Sequence, residues 1–395
     1  MPSSAGLRRA LVEQLELGGQ IRTPAVRDAF LAVPREYFLP AVAASDGLEA
    51  VYRNDAIVTK KDADGAAVSS SSAPTIMALM LEQLRLEPGQ RVLEIGAGTG
   101  YNAALIKHVV GPSGRVTAID IDPATARDAR ANLKRAKAGG IRVFAGDGRA
   151  GYANIAPFDR IIATASVRDV PRAWHRQLAR DGLVEFPLTL TNRSYLHQVV
   201  ATFEKDGRGL RSVAATAGGF MSMRPSGDAP AEIGPYAVVE MRGEGAPRTI
   251  LGLTGEAFID ADDEQRRRLV SLAAGELRSK AVRGKLANGV MAYILLAGEP
   301  GRSFAGGMGL ADRDAKGIAF LLWRDGRFRL YAAGRPGAEQ RLLRLIDGWK
   351  RAGRPRLDDL RIRVAFGRSE PRAWRTSRRQ HSTVSFDWST RPRRT

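Results

Sequence analysis

Residues 91–110 read RVLEIGAGTGYNAALIKHVV, and this stretch decides the fold. The segment RVLEI predicts a short apolar strand, the segment from Gly96 to Gly100 a tight loop, and NAALIKHVV a helix. Three glycines in that loop let the backbone turn sharply and approach a ligand closely. Free N–H groups at the start of the helix would receive polar parts of that ligand. The stretch therefore predicts a strand–loop–helix unit with a ligand at its loop.

The alternation of strand and helix continues after this unit. RVTAI predicts a second strand, PATARDARANLKRAKA a charged amphipathic helix, and IRVFAG, FDRIIATA and LVEFPL further strands. Upstream, helices are expected over residues 7–17, from Pro24 to Val33, and from Ala73 to Leu86. The predicted class is therefore α/β, with a doubly wound, mostly parallel Rossmann-like sheet behind a helical N-terminal segment.

Asp120 lies twenty residues beyond Gly100, at the end of the second predicted strand. A carboxylate at that place can accept hydrogen bonds from both hydroxyls of a ribose, which predicts an adenosine-containing ligand. Nicotinamide dehydrogenases use a GxGxxG loop, whereas this loop is GxGxG with Glu94 just ahead of it. The spacing disfavours a nicotinamide cofactor, and a purely structural turn is the remaining alternative.

The length of 395 residues predicts more than one domain. After residue 190 the pattern changes to hairpin-like segments, then to a small α+β domain with an additional strand at MAYILLAGE (291–299) and a helix at 262–280. The last 28 residues hold eight arginines against Glu370 and Asp387, so we expect a basic, partly disordered tail, although Phe386 and Trp388 are candidate anchors. The expected divisions are a helical N-terminal segment (1–88), a cofactor-binding core (89–190), a β-rich extension (191–250), an α+β auxiliary domain (251–367) and the tail (368–395).

Composition excludes several classes of site. The chain has no cysteine, which excludes disulfides and thiolate chemistry, and its four histidines lack metal-ligand spacing, so no metal is expected. No apolar run reaches the length of a membrane span or a signal peptide. We therefore expect a cytoplasmic protein that is not inserted in a membrane.

The net charge of +19 is unevenly distributed. Residues 1–190 contribute a net charge of +4 and the remainder +15. The second half is therefore a candidate docking surface for an acidic partner, and a simple solubility surface is an equal alternative. The aromatic residues there form no recognisable RNA-binding signature, so nucleic acid ranks below an acidic peptide.

Several motifs together resemble the protein-L-isoaspartate O-methyltransferase family: LEIGAGTGYNAALI, AIDIDP, GDGRAGY, APFDRIIATA and VPRAWHRQL, with VPREYFLP upstream. They occur in order from about Ile21 to Leu188. The resemblance implies an S-adenosylmethionine-dependent enzyme that esterifies carboxylates. It places Glu94, Gly96 and Gly98 at the methionine part of the cofactor, Asp120 at the ribose, and Asp147 with Gly148 at the adenine. The complete predicted cofactor set is Glu94, Gly96, Ala97, Gly98, Thr99, Gly100, Tyr101, Asp120, Ile121, Gly146, Asp147 and Gly148. A helix cap is the alternative role for Asp147.

The family's catalytic serine lies in a Thr-Ile-Ser-x-Pro segment, and the matching stretch here is Ser70-Ser71-Ser72-Ala73-Pro74. The resemblance therefore makes Ser72 the catalytic hydroxyl, with Ser70 in the place of the threonine. The alternative is a flexible loop that ends in a serine N-cap.

Two departures from the family bear on the substrate. Ala67-Val68-Ser69 replaces the usual Gly-Gln pair, and the chain continues for about 200 residues past the matched motifs. The serine-rich variant, the GFMSM segment (219–223) and the extension resemble an actinobacterial subgroup that tailors ribosomally made peptides such as lanthipeptides, graspetides and lasso peptides.

The expected substrate is therefore an ordinary aspartate in an acidic, modified precursor peptide, whose methyl ester closes to an aspartimide and can hydrolyse to isoaspartate. The alternative substrate is an isoaspartyl residue in a damaged protein. Methylation of nucleic-acid bases is disfavoured because no Asn/Asp-Pro-Pro-Tyr/Phe segment is evident. A noncatalytic binding module ranks last, since the cofactor motifs are intact.

Overall fold

The computed structural model describes residues 3–63, 65, 67–191, 197–223, 237–241, 249–253, 255–282, 284, 286, 288–299, 302–304, 308–324, 327–367 and 373–388. The chain divides into two compact units. The first comprises residues 1–187, 200–214 and 220–230, and the second comprises residues 188–199, 215–219 and 231–395.

The helices of the first unit are α1 (Ser4–Leu17), α2 (Pro24–Ala32), α3 (Pro40–Ser45), α4 (Gly47–Val51), α5 (Pro74–Leu84), α6 (Tyr101–Val110), α7 (Pro123–Arg135) and α8 (Arg172–Gln177). Its strands are β1 (Ile57–Lys61), β2 (Ala67–Ser71), β3 (Arg91–Ile95), β4 (Arg115–Asp120), β5 (Ile141–Ala145), β6 (Phe158–Ala163), and most of β7 (Leu178–Thr189), β8 (Gln198–Asp206) and β9 (Gly209–Ala217).

The main strands of this unit follow the order β9-β8-β7-β6-β3-β4-β5. The pairs β3/β4, β4/β5, β3/β6 and β6/β7 are parallel. The chain proceeds outward from β3 through β4 to β5 on one side and returns through β6 on the other. This reversal at β3 opens a crevice at the carboxyl ends of the strands, which is where such sheets bind ligands. The predicted α/β class with a mostly parallel Rossmann-like sheet is confirmed.

The N-terminal helices share one hydrophobic core with the parallel sheet. Leu11, Phe30 and Leu81 from the helices belong to the same buried cluster as Val92 and Val143 from the strands. The expected division at residue 88 therefore does not separate two domains, because the apolar faces of these helices are buried only against the sheet-flanking helices and strands. The segment is also not wholly helical, since β1 and β2 form an antiparallel pair within it.

Glu82 on α5 ties the N-terminal helices together. Its Oε1 accepts hydrogen bonds from the backbone nitrogens of Arg22 and Thr23, both at 2.8 Å, and from the Thr23 hydroxyl at 3.0 Å. The predicted start of α2 at Thr23-Pro24 is confirmed, with proline in the first turn. The Thr23 side chain does not cap its own helix, because its hydroxyl is bonded to Glu82 instead.

The residues of the expected β-rich extension, 191–250, do not form one domain but are distributed over both units. The predicted hairpin is present as β8 and β9, but most of both strands belongs to the first unit. The short strands β10 (Ala237–Met241) and β11 (Thr249–Leu253) form an antiparallel pair in the second unit. The rest of the proline- and glycine-rich connection expected near 224–247 lies outside the described residues.

The second unit continues with helices and strands around two buried clusters. Its helices are α9 (Glu256–Ile259), α10 (Asp263–Ala274), α11 (Gly289–Ala297) and α12 (Gly337–Arg351). Its later strands are β12 (Arg278–Ala281), β13 (Ser303–Phe304), β14 (Gly309–Ala311), β15 (Gly317–Arg324), β16 (Arg327–Gly334), β17 (Leu360–Ala365), β18 (Arg375–Arg378) and β19 (Thr383–Trp388). Five of these form a sheet in the order β12-β16-β15-β14-β13.

Two expectations for this unit are wrong. The apolar run MAYILLAGE forms helix α11 rather than a strand, and Val290 and Ile294 on one side of it share a buried cluster with Leu342 and Ile346 of α12. A short, uniformly apolar run does not distinguish a buried strand from a buried helix. The helix expected over 262–280 ends at Ala274, and β12 follows it.

The described part of the expected disordered tail is ordered β structure. Strand β19 pairs with both β17 and β18, and Val384 and Phe386 are completely buried. The prediction of disorder relied on the number of arginines. These arginines alternate with, or flank, residues that face a core. Phe386 is thus an anchor, as its apolar character suggested. Among the described residues, no helix is long and apolar enough to span a lipid bilayer.

Candidate functional site

The glycine loop between β3 and α6 has a backbone that only glycine adopts readily. Gly96, Gly98 and Gly100 have φ values of +95°, +52° and +85°. A Cβ atom on Gly96 would clash with Oγ1 of Thr164, which itself donates a hydrogen bond to the Gly96 carbonyl at 2.8 Å. Strain and close approach therefore both require glycine at position 96. The loop is held against the end of β6 by this contact.

Asp120 ends β4 beside this loop and is 8% exposed. One carboxylate oxygen accepts a hydrogen bond from the Gly98 nitrogen at 3.0 Å, and the other accepts from the Asp122 nitrogen at 3.1 Å. Each oxygen has a second lone pair, so the carboxylate can still accept hydrogen bonds from a ligand. Asp120 lines the crevice, and its role at a ribose stays a prediction.

Glu94 lies beneath the loop and is completely buried. Its Oε1 accepts a hydrogen bond from Nδ2 of Asn102 on α6 at 2.8 Å, whereas Oε2 has no hydrogen-bond partner among the described residues. Burial raises the pKa of Glu94 to about 8; the Asn102 hydrogen bond opposes this rise and the nearby Asp120 charge adds to it. Glu94 does not line the crevice, so a role at the methionine part of a cofactor stays a prediction.

Asp147 caps a short turn and also lines the crevice, and its role beside an adenine stays a prediction. Its side chain caps a short 3-10 turn (Gly148–Ala150) by accepting from the Arg149 nitrogen at 3.0 Å, and it also forms an ion pair with Arg149 at 2.7 Å. Asp147 and Gly148 nevertheless line the crevice. The Gly148 carbonyl accepts a hydrogen bond from Nε1 of the buried Trp174 at 2.8 Å, which fixes this wall from behind.

The serine run is a strand rather than a loop. Ser69, Ser70 and Ser71 belong to β2, and residue 73, an alanine, takes the N-cap position of α5, so the flexible loop with a serine N-cap is wrong. Ser69 and Ser70 line the crevice, and the Ser70 carbonyl oxygen lies 3.5 Å from where a Cβ of Gly98 would stand. Ser72 is half-buried and does not line the crevice. These serines, residues 69–72, are called the serine segment below, and they lie directly over the glycine loop of residues 96–100.

The β1–β2 hairpin that carries these serines is tied to α7. Nζ of Lys60 lies 2.8 Å from Asp128 and 3.4 Å from Asp122. Burial tends to raise the pKa of Asp122, but hydrogen bonds from Thr125, from the backbone of Ala124 and from Lys60 outweigh it and hold that pKa well below its usual range. An ionised Asp122 thus caps α7 and anchors the hairpin at the same time.

Nine crevice residues lie outside the predicted site: Val68, Ser69, Ile95, Ile119, Thr164, Ala165, Met221, Ser222 and Met223. Residues 221–223 lie beside the end of β6, where the Ser166 nitrogen donates to the Met221 carbonyl at 2.8 Å and the Met223 nitrogen donates to the Ser166 carbonyl at 2.9 Å. Residues 221–223 of the GFMSM segment thus form one wall of the crevice, and no local pattern in the sequence predicts that position.

The structure brings together half of the fourteen predicted site residues. Those that line the crevice are Ser70, Gly96, Gly98, Asp120, Ile121, Asp147 and Gly148. The other seven do not line it: Ala97 and Gly146 bond to backbone carbonyls of β4, Gly100 is the N-cap of α6, and the Thr99 carbonyl accepts a hydrogen bond from Asn132. Tyr101 is buried against Phe30 and Phe38. Within the described part of the chain, no group of His, Asp and Glu side chains is placed to hold a metal ion.

Comparisons with known proteins agree with this geometry. Residues 7–218 match the family described as protein-L-isoaspartate(D-aspartate) O-methyltransferase (PCMT). The protein-L-isoaspartate O-methyltransferase of Hyperthermus butylicus is 40% identical over 209 residues, which are 51% of this chain and 82% of that relative. The enzyme of the same name from Pyrobaculum neutrophilum is 35% identical over 217 residues, covering 55% of this chain and 98% of the relative.

A solved structure named protein-L-isoaspartate O-methyltransferase has the same fold, with a TM-score of 0.52 at 24% identity. The alignment covers 96% of this chain and 99% of that chain, so the similarity of fold extends past the family match into the C-terminal half. With the glycine loop, Asp120 and the family match in agreement, this chain belongs to the protein-L-isoaspartate O-methyltransferase family of S-adenosylmethionine-dependent carboxyl methyltransferases.

Proposed function

We propose that this protein methylates the free carboxylate of isoaspartyl residues in peptides or proteins. The observation that carries the proposal is the position of Ser70 over the glycine loop, in one crevice with Asp120. A hydrogen-bond donor for a carboxylate thus lies beside a cradle suited to an adenosine-containing cofactor. The relatives named protein-L-isoaspartate O-methyltransferase support the same substrate.

The residues present fit S-adenosylmethionine. The left-handed glycines bring the backbone close to the crevice while their N–H groups donate to Ile119, Asp120 and Ala97, and the turn at Gly96 has no room for a Cβ atom. Asp120 would accept hydrogen bonds from the ribose hydroxyls, and Asp147 with Gly148 would bound the adenine side. When bound, the cofactor supplies a methyl group on a positively charged sulfur. The buried Oε2 of Glu94, which has no hydrogen-bond partner among the described residues, marks a polar position at the start of the loop.

The reaction needs alignment rather than a base. A carboxylate is already ionised at pH 7, so its oxygen attacks the methyl carbon directly, a C–O bond forms, the C–S bond breaks, and no proton moves. Opposite charges disappear in this step, and a crevice that excludes water therefore favours it. The task of the serine hydroxyls is to orient one carboxylate oxygen, and their hydrogen bonds must not be so strong that they stabilise the anion itself.

The tailoring of a ribosomal precursor peptide was the first expectation from the sequence, and the findings favour the isoaspartyl substrate instead. Chain length does not support tailoring, since the fold of a solved structure named protein-L-isoaspartate O-methyltransferase aligns with 96% of this chain. An ordinary aspartate in an acidic precursor therefore remains only as an outcome of the experiment below.

The experiment compares two peptides of identical sequence that carry either aspartate or isoaspartate at one position. Methyl transfer is followed by mass spectrometry, and we expect methylation of the isoaspartyl peptide only. Exclusive methylation of the aspartyl peptide would overturn the proposal and favour the tailoring of a precursor peptide. Failure with both peptides would overturn it as well.

Serine variants test the acceptor side. We expect Ser70→Ala and Ser72→Ala to retain cofactor affinity and lose most turnover, while Ser45→Ala, in an exposed residue at the end of α3, serves as the matched control. Full turnover of Ser72→Ala would remove this residue from the mechanism and leave Ser70, which lines the crevice, as the orienting hydroxyl.

The basic second half, residues 191–395, is proposed to attract acidic substrates. Attraction between exposed charges is screened within about 10 Å at 0.1 M salt. We therefore expect the KM of an isoaspartyl peptide with acidic flanks to rise with salt concentration more steeply than that of a neutral peptide. Equal salt dependence of the two KM values would contradict this role.

A further inference from the structure

Arg35, in the VPREYFLP motif, has a guanidinium group buried in the protein interior, with 0% exposure. Its Nη1 donates to the carbonyls of Val51 at 2.9 Å and Arg53 at 3.0 Å. Its Nη2 donates to the Asp55 carbonyl at 3.3 Å and to the serine segment described below. A buried cation is costly unless hydrogen bonds replace its water. Backbone carbonyls do so at both Nη atoms, while Nε has no hydrogen-bond partner among the described residues.

The same guanidinium holds the serine segment. Nη2 donates to the Ser72 carbonyl at 3.1 Å and to the Ser71 hydroxyl at 3.4 Å. Successive side chains of a strand point to opposite faces, so a Ser71 side chain directed at Arg35 leaves the Ser70 side chain on the other face. Ser70 lines the crevice together with Ser69, and its carbonyl oxygen lies next to Gly98. The contact between Arg35 and Ser71 therefore holds the strand directly beside the two serines that line the crevice.

Arg35 also contacts the cofactor side of the site. Its guanidinium carbon lies 5.9 Å from the ring centroid of Tyr101, the first residue of α6 after the glycine loop. A guanidinium over an aromatic ring is attracted by the negative face of that ring. One planar cation thus connects the segment after α4, the serine segment and the start of α6. A lysine ammonium has three donors at one point and does not reproduce this planar fork.

We propose that Arg35 is the positioning residue of the acceptor site, and that it fixes the register and height of the serine segment over the glycine loop. It is no catalytic residue, since it lines no part of the crevice and acts through Ser70 and Ser72. This inference rests on the proposed function, because it assumes that these serines orient the acceptor carboxylate. A displacement of about 1 Å in such a site costs up to about 100-fold in rate.

The chain offers a matched control in Arg160 on β6. This arginine is 8% exposed, and its guanidinium likewise donates to three backbone carbonyls, those of Leu84 at 2.7 Å, Asp159 at 2.9 Å and Arg85 at 3.0 Å. It does not line the cofactor crevice. Arg160→Lys therefore disturbs a similar buried carbonyl cluster in the same unit without touching the serine segment.

The experiment compares Arg35→Lys and Arg160→Lys in the full chain. Thermal unfolding, the Kd of S-adenosylhomocysteine by calorimetry, and kcat and KM with the isoaspartyl peptide are measured for each variant. We expect both variants to unfold at lower temperature and to keep the Kd within about twofold. Only Arg35→Lys should lose kcat, by about 10- to 100-fold. Equal kcat losses in the two variants, or an unchanged kcat in Arg35→Lys, would overturn the proposal.

Two further measurements keep the test decisive. If Arg35→Lys does not fold, Ser71→Ala removes a single contact to the guanidinium, and we expect a smaller loss of kcat with the same unchanged Kd. Full activity of Ser71→Ala would then count against the proposal. Hydrogen exchange of residues 67–72 does not depend on the substrate, and it should accelerate in Arg35→Lys or Ser71→Ala but not in Arg160→Lys. If the wild-type protein does not methylate the isoaspartyl peptide but hydrogen exchange accelerates in the variants as expected, the proposed function is contradicted. The positioning role of Arg35 then remains.

Discussion

The backbone nitrogen of Gly98 donates a hydrogen bond to Oδ2 of Asp120 across 3.0 Å. The carboxylate at the end of β4 therefore fastens the glycine loop that follows β3, while it also faces the cofactor crevice. The two features that the sequence separates by twenty-two residues thus form one unit. The shape of the loop and the polarity of the crevice depend on the same side chain.

Replacement of Asp120 by asparagine should weaken cofactor binding. The amide keeps the size of the side chain but removes the charge that strengthens hydrogen bonds to the loop and to a ribose. A charge-assisted hydrogen bond contributes about 1.5–3 kcal/mol, which predicts a rise in Kd of about 10- to 100-fold. Calorimetric titration with S-adenosylhomocysteine measures this, with Asp128→Asn as the control for loss of a carboxylate outside the crevice. Equal Kd values for Asp120→Asn and wild type would refute the assigned role.

Replacement of Gly96 by alanine should destabilise the fold and abolish cofactor binding. The φ of +95° is unfavourable for alanine, and the added Cβ would clash with Oγ1 of Thr164. We expect a loss of about 1–3 kcal/mol in the free energy of unfolding, measured with urea. Gly139→Ala is the control, because no atom lies within 4 Å of its added Cβ. A Gly96→Ala variant as stable as the control would contradict the strain assigned to this turn.

The buried Glu94 predicts a specific dependence of stability on pH. Its pKa is raised from 4.5 to about 8 by burial, so the folded protein retains a proton that the unfolded chain releases between these values. The unfolded state is thereby favoured as pH rises, and the contribution of Glu94 to the free energy of unfolding falls from about pH 4.5 to about pH 8. Below this window both states are protonated, and above it both are ionised.

A Glu94→Gln variant isolates this effect, because glutamine retains an oxygen that accepts from Asn102 and does not titrate. The stability of the variant minus that of the wild type should increase as pH rises from 5 to 8 and then level off. Unfolding in denaturant at a series of pH values, without cofactor, gives this difference. A difference that does not change with pH would mean that Glu94 titrates normally in the folded protein.

Phe386 in β19 should be essential for the stability of the second unit. Its side chain is completely buried, and it lies between Ile362 of β17 and Arg375 of β18 in the strand register. Truncation of a buried phenylalanine costs about 3–5 kcal/mol, so Phe386→Ala should unfold at markedly lower denaturant concentration. Trp323→Ala removes a ring that is 60% exposed and should cost about 1 kcal/mol. Equal losses of stability in the two variants would contradict the burial of Phe386 and favour the disordered tail that the arginines suggested.

The α/β class, the glycine loop and the position of Asp120 beside that loop follow from the sequence alone. These features are local: the loop requires glycines at fixed spacing, and Asp120 ends the strand that follows α6. Parallel strands then bring the loop and the carboxylate to one edge of the sheet without further information. The serine motif can also be identified in the sequence, although its residues form a strand rather than a loop.

The tertiary structure alone decided the rest. MAYILLAGE forms a helix because its apolar side chains pack against α12, and the arginine-rich tail forms strands because Val384 and Phe386 reach a core. Residues 221–223 form a wall of the crevice only because the chain returns to the end of β6 about 55 residues after that strand. In the sequence nothing distinguishes Arg35 from other charged residues, yet the five hydrogen bonds of its guanidinium join segments up to 37 positions apart. Contacts between distant segments depend on how whole elements pack, and no local pattern of residues contains that information.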